Sequence, residues 1–322
     1  MILSTRMALV FRKKCNSINR VGKNISSRIN GETEEINIAN EFASYFESIY
    51  NSSNNHVYAN LKEKFSQEYA HYFSNHIDDD LNPSYATWSE MMDIATKIEI
   101  GKATAGTFRP EHFLFGSPHL LRHFHILFNG MLQHSYIPTD PLNGTITPVV
   151  KDAQGDVSTK SNYRGITLSC LPAKLFEFLI QKEIRHLLGS DELQFGFKSK
   201  TSSSHAIYAM KSTVDYFNTR GSKVYVAFLD CTKAFDRLSH DGLFSKLIER
   251  KFPLCILLCL IYWYANMSCC VKWGSATSRR FDIPIGINQG GLNWPDFFSI
   301  YLDGLTKILR ESHVGCHIYK LF

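Results

Sequence analysis

The sequence predicts an α/β (α+β) fold, and three observations predict it. Amphipathic stretches of helical period recur along the 322-residue chain, short β-branched or aromatic runs lie between them, and a 44% hydrophobic content supplies a sizeable core in more than one lobe.

Between Glu35 and Tyr50, the residues Ile36, Ile38, Ala39, Phe42, Ala43, Phe46 and Ile49 recur at helical spacing, and Asn51-Ser-Ser-Asn-Asn55 ends the run. Residues 51–83 are polar, and their three adjacent carboxylates, Asp78, Asp79 and Asp80, read as a solvated loop rather than a metal loop. A helix is expected over Thr87 to Ile100, closed by Gly101. Ser117-Pro118 caps another, because serine accepts from free amides and proline sits where no amide is needed. That helix runs to His134; His119 and His123 stand one turn apart on it without a third ligand nearby, so ordinary surface histidines are expected. Ile146 to Val150 and Gly165 to Ser169 read as strands, Pro172 to Leu188 and His205 to Phe217 as helices. Lys223-Val-Tyr-Val-Ala-Phe-Leu-Asp230 reads as a buried strand. Helices follow over Asp241 to Lys251 and Leu254 to Asn266, then a hairpin from Cys269 to Ile285 turned at Gly274-Ser275, then a helix over Leu292 to Leu309.

A formal net charge of +5 suits a nucleic-acid partner without demanding one. The eight cysteines form no Cys-x-x-Cys pair, so reduced thiols of an intracellular protein are expected, with neither zinc site nor disulfide framework. No secretory signal is evident, and the longest apolar stretch, Phe252 to Ala265, is interrupted by Pro253 and shorter than the ~20 residues of a membrane span. No membrane partner is expected. Met1 to Gly31 carries seven Lys and Arg residues and no acid before Glu32. That composition suits a transit peptide, a basic arm on a phosphate backbone, or a linker. A nuclear or cytoplasmic location is favoured over a mitochondrial one.

Chemistry concentrates in a set of short motifs. In order they are Lys151, Asn162-Tyr-Arg-Gly-Ile-Thr-Leu168, Lys174-Leu-Phe-Glu177, Gln194-Phe-Gly-Phe197, Phe228-Leu-Asp-Cys-Thr-Lys-Ala-Phe-Asp236 and Gly286-Ile-Asn-Gln-Gly-Gly291. Together they resemble the reverse transcriptases of non-LTR (LINE-type) retrotransposons, and Gly101-Lys-Ala103, Gly106, Asn129 and Ile137-Pro138 resemble the segment preceding the polymerase there. The resemblance implies a right-hand polymerase, here fingers and a partial palm, copying an RNA template from a DNA primer with dNTP and two Mg2+ ions. Its implied divisions are a basic linker or arm over 1–34, a helical N-terminal extension over 35–140 and a reverse transcriptase domain over 141–322.

Residue by residue, the resemblance implies that Asp230 is the catalytic carboxylate and metal ligand, at a strand end where a buried charge is costly unless a cation meets it. Phe235 matches the ring that lies under the deoxyribose and excludes a 2′-hydroxyl; a core phenylalanine is the alternative. Gln289 and Gly290 match the nucleotide-binding turn, and Lys151 and Arg164 match cations that hold the triphosphate. Gln194, Gly196 and Phe197 match the template path, with a packed turn as the alternative. Asp236 reads as a local cap or a group that supports the metal ligand from behind, rather than a ligand itself.

The chain departs from the family pattern at several places. Asn288 stands where an arginine is usual, and Trp294 where a small serine is usual, which is expected to crowd the helix start. Gly165 replaces a proline and is expected to loosen the backbone beside Arg164. After Ile318 the sequence reads Tyr319-Lys-Leu-Phe322 where a Tyr/Phe-Ala-Asp-Asp hairpin is usual, so the thumb and the remaining metal carboxylates are expected to be absent. The expected function is therefore a reverse transcriptase domain fragment, inactive as an isolated chain. The alternative is a non-catalytic nucleic-acid-binding remnant.

Overall fold

A computed structural model of the chain describes residues 28–51, 56–77, 86–106, 108–116, 118–198, 200–231, 233–287 and 290–316. The basic segment 1–27, the Asp78–Asp80 cluster, Asn288, Gln289 and residues 317–322 lie outside the described residues.

The fold is mixed α/β. Helices α1 (Glu35–Tyr50), α2 (His56–His76), α3 (Trp88–Thr96), α4 (Pro110–Phe115), α5 (Pro118–His134) and α6 (Thr139–Leu142) precede β1 (Asn143–Val150) and β2 (Tyr163–Leu168). Helices α7 (Leu171–Ile184), α8 (Ser203–Asn218), α9 (His240–Glu249) and α10 (Leu254–Ala265) follow, then β3 (Ser268–Trp273), β4 (Ala276–Thr277), β5 (Phe281–Asp282) and α11 (Trp294–Glu311). The sheet runs β2-β1-β3-β4, with β5 also on β3; β1 and β2 are antiparallel and β1 and β3 parallel.

Local chemistry explains the element ends. Thr87 and Glu90 form a reciprocal capping box that starts α3, and the Ser239 hydroxyl accepts from the Gly242 N–H to start α9. Pro118 opens α5 and Pro295 lies in the first turn of α11, where a missing amide costs nothing.

Helix α1 lies on the sheet. Its buried face is Ile38, Ala39, Phe42, Ala43, Phe46, Ile49 and Tyr50, so the sequence periodicity holds except at Ile36, which is exposed, and Phe42 stacks on Trp273 at 5.1 Å and meets Tyr163 edge-on at 5.0 Å. Polar ties fix its direction: the Glu35 carboxylate accepts from the backbone N–H and hydroxyl of Ser275, Lys160 pairs with Glu41 at 2.9 Å, and Arg279 pairs with Glu47. Residues from α1, α5, α7, α9, α10, β3 and α11 share one hydrophobic core.

The structure adds one element to the sequence reading and corrects one expectation. Within the polar stretch 51–83, α2 occupies 56–76. It buries only Tyr72 and is held through tyrosines: Tyr72 donates to the Phe252 carbonyl at 2.7 Å, Tyr58 to the Arg237 carbonyl at 2.8 Å, and Phe65 packs on Phe244. Tyr58, Leu61, Phe65, Tyr69 and Tyr72 recur at three- and four-residue spacing and are half-buried or buried, so the helical period is present in the sequence.

The correction concerns residues 223–231. They form no strand and are not buried: Tyr225 is 90% exposed, and Phe228 and Leu229 are each 81% exposed. A strand exists only as a member of a hydrogen-bonded ladder, and none of the sheet's pairings among the described residues includes this run. Its β-branched and aromatic composition records fitness for a sheet, not possession of a partner.

Candidate functional site

The site forms where two sequence motifs cross. Phe235 to Arg237 make a single 3-10 turn, and the chain leaving it pairs with Gly286 and Ile287: the Ile287 N–H donates to the Phe235 carbonyl at 2.9 Å and the Gly286 N–H to the Leu238 carbonyl at 2.7 Å. His240 adds a third tie, its Nε2 2.6 Å from the Gly286 carbonyl. Burial pushes the His240 pKa down to about 4, so the imidazole is neutral and Nε2–H is the donor. Gly286 has φ +85°, and a Cβ there would fall 2.6 Å from the Asp236 carbonyl oxygen. Only glycine permits so close an approach.

The turn at Gly290 to Asn293 hangs from α7. Glu177 is 3% exposed, accepts from the Leu292 N–H at 3.0 Å through Oε2, and offers its own carbonyl to Asn293 Nδ2 at 3.0 Å. Desolvation raises its carboxyl to about 7, against the opposing Leu292 hydrogen bond and the Lys174 charge. Gly290 has φ +138° and presses on β2, where a Cβ would sit 2.3 Å from the Thr167 carbonyl oxygen. Around this turn Thr167 Oγ1, Tyr264 OH, Asn293 Oδ1 and Trp294 Nε1 are buried without hydrogen-bond partners. Such a concentration of unsatisfied polar atoms is unusual in a folded interior.

Trp294 does not crowd the helix start. It is buried, meets Tyr264 edge-on at 5.0 Å and Phe297 at 6.1 Å, and fits because residue 291 is glycine: a Cβ there would lie 1.4 Å from Nε1. Nor does Gly165 loosen β2. A Cβ at 165 would meet Ile146 at 2.9 Å and the Phe46 ring at 3.0 Å, so the glycine is where α1 closes onto the β1–β2 hairpin.

The remaining sequence candidates fall into two groups, one at the end of the β1–β2 hairpin and one around Phe235. Arg164 stands opposite Val149 in the hairpin and Lys151 follows Val150, so both exposed cations belong to one end of that hairpin. Lys151 Nζ donates to the Ser161 carbonyl at 2.9 Å. Phe235 is half-buried in a three-ring cluster, 4.4 Å from Phe298 and 5.7 Å from Phe197, so the structure brings Phe235 and Phe197 together. Phe197 is 57% exposed at φ +58°, Gly196 is exposed, and Gln194 buries Oε1 without a partner. Lys233, at φ +54°, lies 5.2 Å from the centre of the Tyr45 ring. Desolvation and the Arg237 and Lys151 charges lower its pKa, while Asp236 opposes them.

Asp230 lies on the exposed 223–231 run, not at the end of a buried strand. A two-magnesium site takes oxygens from more than one carboxylate. Among the described residues no group of three or more His, Cys, Asp or Glu side chains gathers to hold a metal, so they do not by themselves fit the ion pair.

Sequence reasoning missed the two groups that hold this stretch: His240 carried no motif signal, and Glu177 was visible only as part of a motif. A carboxylate in the apolar run from Leu171 to Ile184 was the available clue, because burial there requires a partner.

Comparison with known proteins matches residues 150–320 to the family described as reverse transcriptase (RNA-dependent DNA polymerase). The chain is 25% identical over 182 residues to a probable RNA-directed DNA polymerase from transposon BS of Drosophila melanogaster, covering 55% of this chain and 20% of that protein. It is 24% identical over 223 residues to the RNA-directed DNA polymerase from mobile element jockey of Drosophila funebris, covering 67% and 24% respectively. A putative 115 kDa protein of a type-1 retrotransposable element of Drosophila melanogaster is 24% identical over 194 residues, covering 58% and 18%. The matches thus span about a quarter or less of these relatives.

Proposed function

The chain belongs to the reverse transcriptase family, in its non-LTR (LINE-type) retrotransposon branch, and from that premise we propose that residues 286–287, the turn at 290–293 and the β1–β2 hairpin contribute to its nucleotide-binding face. On this reading the hairpin and turn belong to fingers and palm, which act on an RNA template, a DNA primer and dNTP. The observation that carries it is the junction of the two motifs at Phe235, Leu238, Gly286 and Ile287, beside which Gly290 presses on the hairpin.

The described residues do the binding part of the reaction. Lys151 and Arg164 offer cations from one edge for a polyphosphate, and Phe235 offers a ring face toward a sugar. In the family Mg2+ supplies activation of the primer 3′-oxygen and charge neutralisation. Here Asp230 is the residue in question, and it stands without a complete ligand set among the described residues.

Fluorescence anisotropy of a labelled RNA–DNA hybrid and titration of a fluorescent dNTP test the reading. Replacing both Lys151 and Arg164 by alanine is expected to weaken dNTP binding roughly tenfold or more, since charge-assisted contacts are lost. Unchanged dNTP affinity in that variant, or no dNTP binding by the wild type, overturns it. The isolation of Asp230 favours a second reading, a non-catalytic nucleic-acid-binding module. Primer extension abolished by Asp230→Ala decides for the polymerase; salt-dependent hybrid binding without incorporation decides for the module.

A further inference from the structure

We propose that Glu177 is the positioning residue of this site: its carboxylate and its own carbonyl suspend Gly290–Asn293 from α7, and the charge on the carboxylate governs how firmly that half of the turn is held. The inference deepens the nucleotide-binding reading above and rests on it only where dNTP affinity is concerned.

The geometry has three parts. The Leu292 N–H reaches Glu177 Oε2 and the Asn293 amide reaches the Glu177 carbonyl, both at 3.0 Å, so two consecutive residues hang from one. The turn approaches so closely that a Cβ at Gly291 would lie 2.6 Å from Glu177 Oε1. The atoms around it that could rearrange on a change of charge, Tyr264 OH, Trp294 Nε1 and Asn293 Oδ1, are buried without partners. A fully paired network would lock this segment; here two ties hold it, and of them only the Glu177–Leu292 bond depends on the charge of the carboxylate.

That tie depends on ionisation. A carboxylate accepts an N–H about twice as strongly as a neutral carbonyl oxygen. Desolvation raises the Glu177 carboxyl to about 7, so the group changes charge near neutral pH. The titratable groups facing it are Lys174 one turn back on α7, Cys170 at that helix's start and Tyr264 on α10, with His240 behind the Tyr264 ring at 4.6 Å. From the turn and α11 the facing groups are the Leu292 N–H, the Asn293 amide and Trp294. Lys174 favours the charged form, and its removal should shift the transition upward in pH.

The test is amide hydrogen exchange on the full chain, comparing wild type, Glu177→Gln and Lys174→Met. Turn amides at 290–293 are read against those of β1 as an internal standard, with fluorescent dNTP titration in parallel. In the wild type, protection of the turn relative to β1 should rise roughly five- to tenfold from about pH 6 to about pH 8. Glu177→Gln, nearly isosteric, should lose that step, and Lys174→Met should move it to higher pH. If the step survives in Glu177→Gln, or if the wild type shows no step, the assignment of Glu177 is wrong. A dNTP Kd that follows turn protection supports its bearing on the site. If no dNTP binds any of the three chains, the nucleotide-binding reading fails while the exchange result still judges Glu177.

Discussion

Glu177 and His240 flank the same turn and should pull stability in opposite directions with pH. The folded-state pKa of Glu177, about 7, lies above the ordinary 4.5, so the folded chain holds this proton more tightly than the unfolded one. Its contribution is fully present below about pH 4.5 and is lost as pH rises through about 7. His240 is the reverse: its folded pKa of about 4 lies below 6.5, so its contribution is present above about pH 6.5 and is lost as pH falls through about 4. Each gap is about 2.5 pH units, which at about 1.4 kcal/mol per unit amounts to about 3 kcal/mol. Between about pH 4.5 and about pH 6.5 the two slopes oppose and nearly cancel. Glu177→Gln and His240→Gln, both permanently neutral, should expose one slope each. Urea unfolding across this range measures it. Relative to wild type, Glu177→Gln should gain about 3 kcal/mol from about pH 4.5 to about pH 8. His240→Gln should gain about 3 kcal/mol, apart from a constant offset, as pH falls from about 6.5 to about 4. Differences from wild type that stay flat with pH in both variants would refute the assigned burial. The Glu177 variant would then be more stable yet looser at the turn, because ionisation strengthens one local bond at a larger desolvation cost.

Three further outcomes can be checked by the same unfolding measurements. Trp294→Ser should destabilise the chain by about 3–5 kcal/mol, because it empties a site packed by Tyr264 and Phe297; a gain in stability would restore the crowding argument. Gly165→Ala should cost about 1–3 kcal/mol by pushing Phe46 off the hairpin, and a neutral result would mean that α1 sits elsewhere. Phe228→Ser should change stability by less than about 0.5 kcal/mol, since the ring is exposed, whereas a loss of about 3 kcal/mol would place residue 228 in a buried strand after all.

Much of the secondary structure was determined by the sequence alone, because the signals are local. The helical spacing of Ile38, Ala39, Phe42, Ala43 and Phe46, the Thr87–Glu90 capping box and the Gly274-Ser275 turn each state a backbone preference that needs no distant partner. The motifs likewise fixed the family, since their order along the chain is a property of sequence. What only the tertiary structure decided is everything that depends on a partner. Lys223 to Asp230 carries strand-forming residues but no ladder among the described residues, so its composition misled. The stripe Tyr58, Leu61, Phe65, Tyr69 and Tyr72 marks α2 as a helix, but the distant carbonyls that its tyrosine hydroxyls meet, at Arg237 and Phe252, are chosen by the fold. Trp294 and Gly291, and Gly165 and Phe46, are complementary pairs: read singly, each tryptophan or glycine suggested strain or looseness, and only contact showed fit. Glu177 and His240 take their charge states from burial, a quantity set by the whole fold, and for that reason the groups that hold the turn could not be assigned before the chain was seen packed.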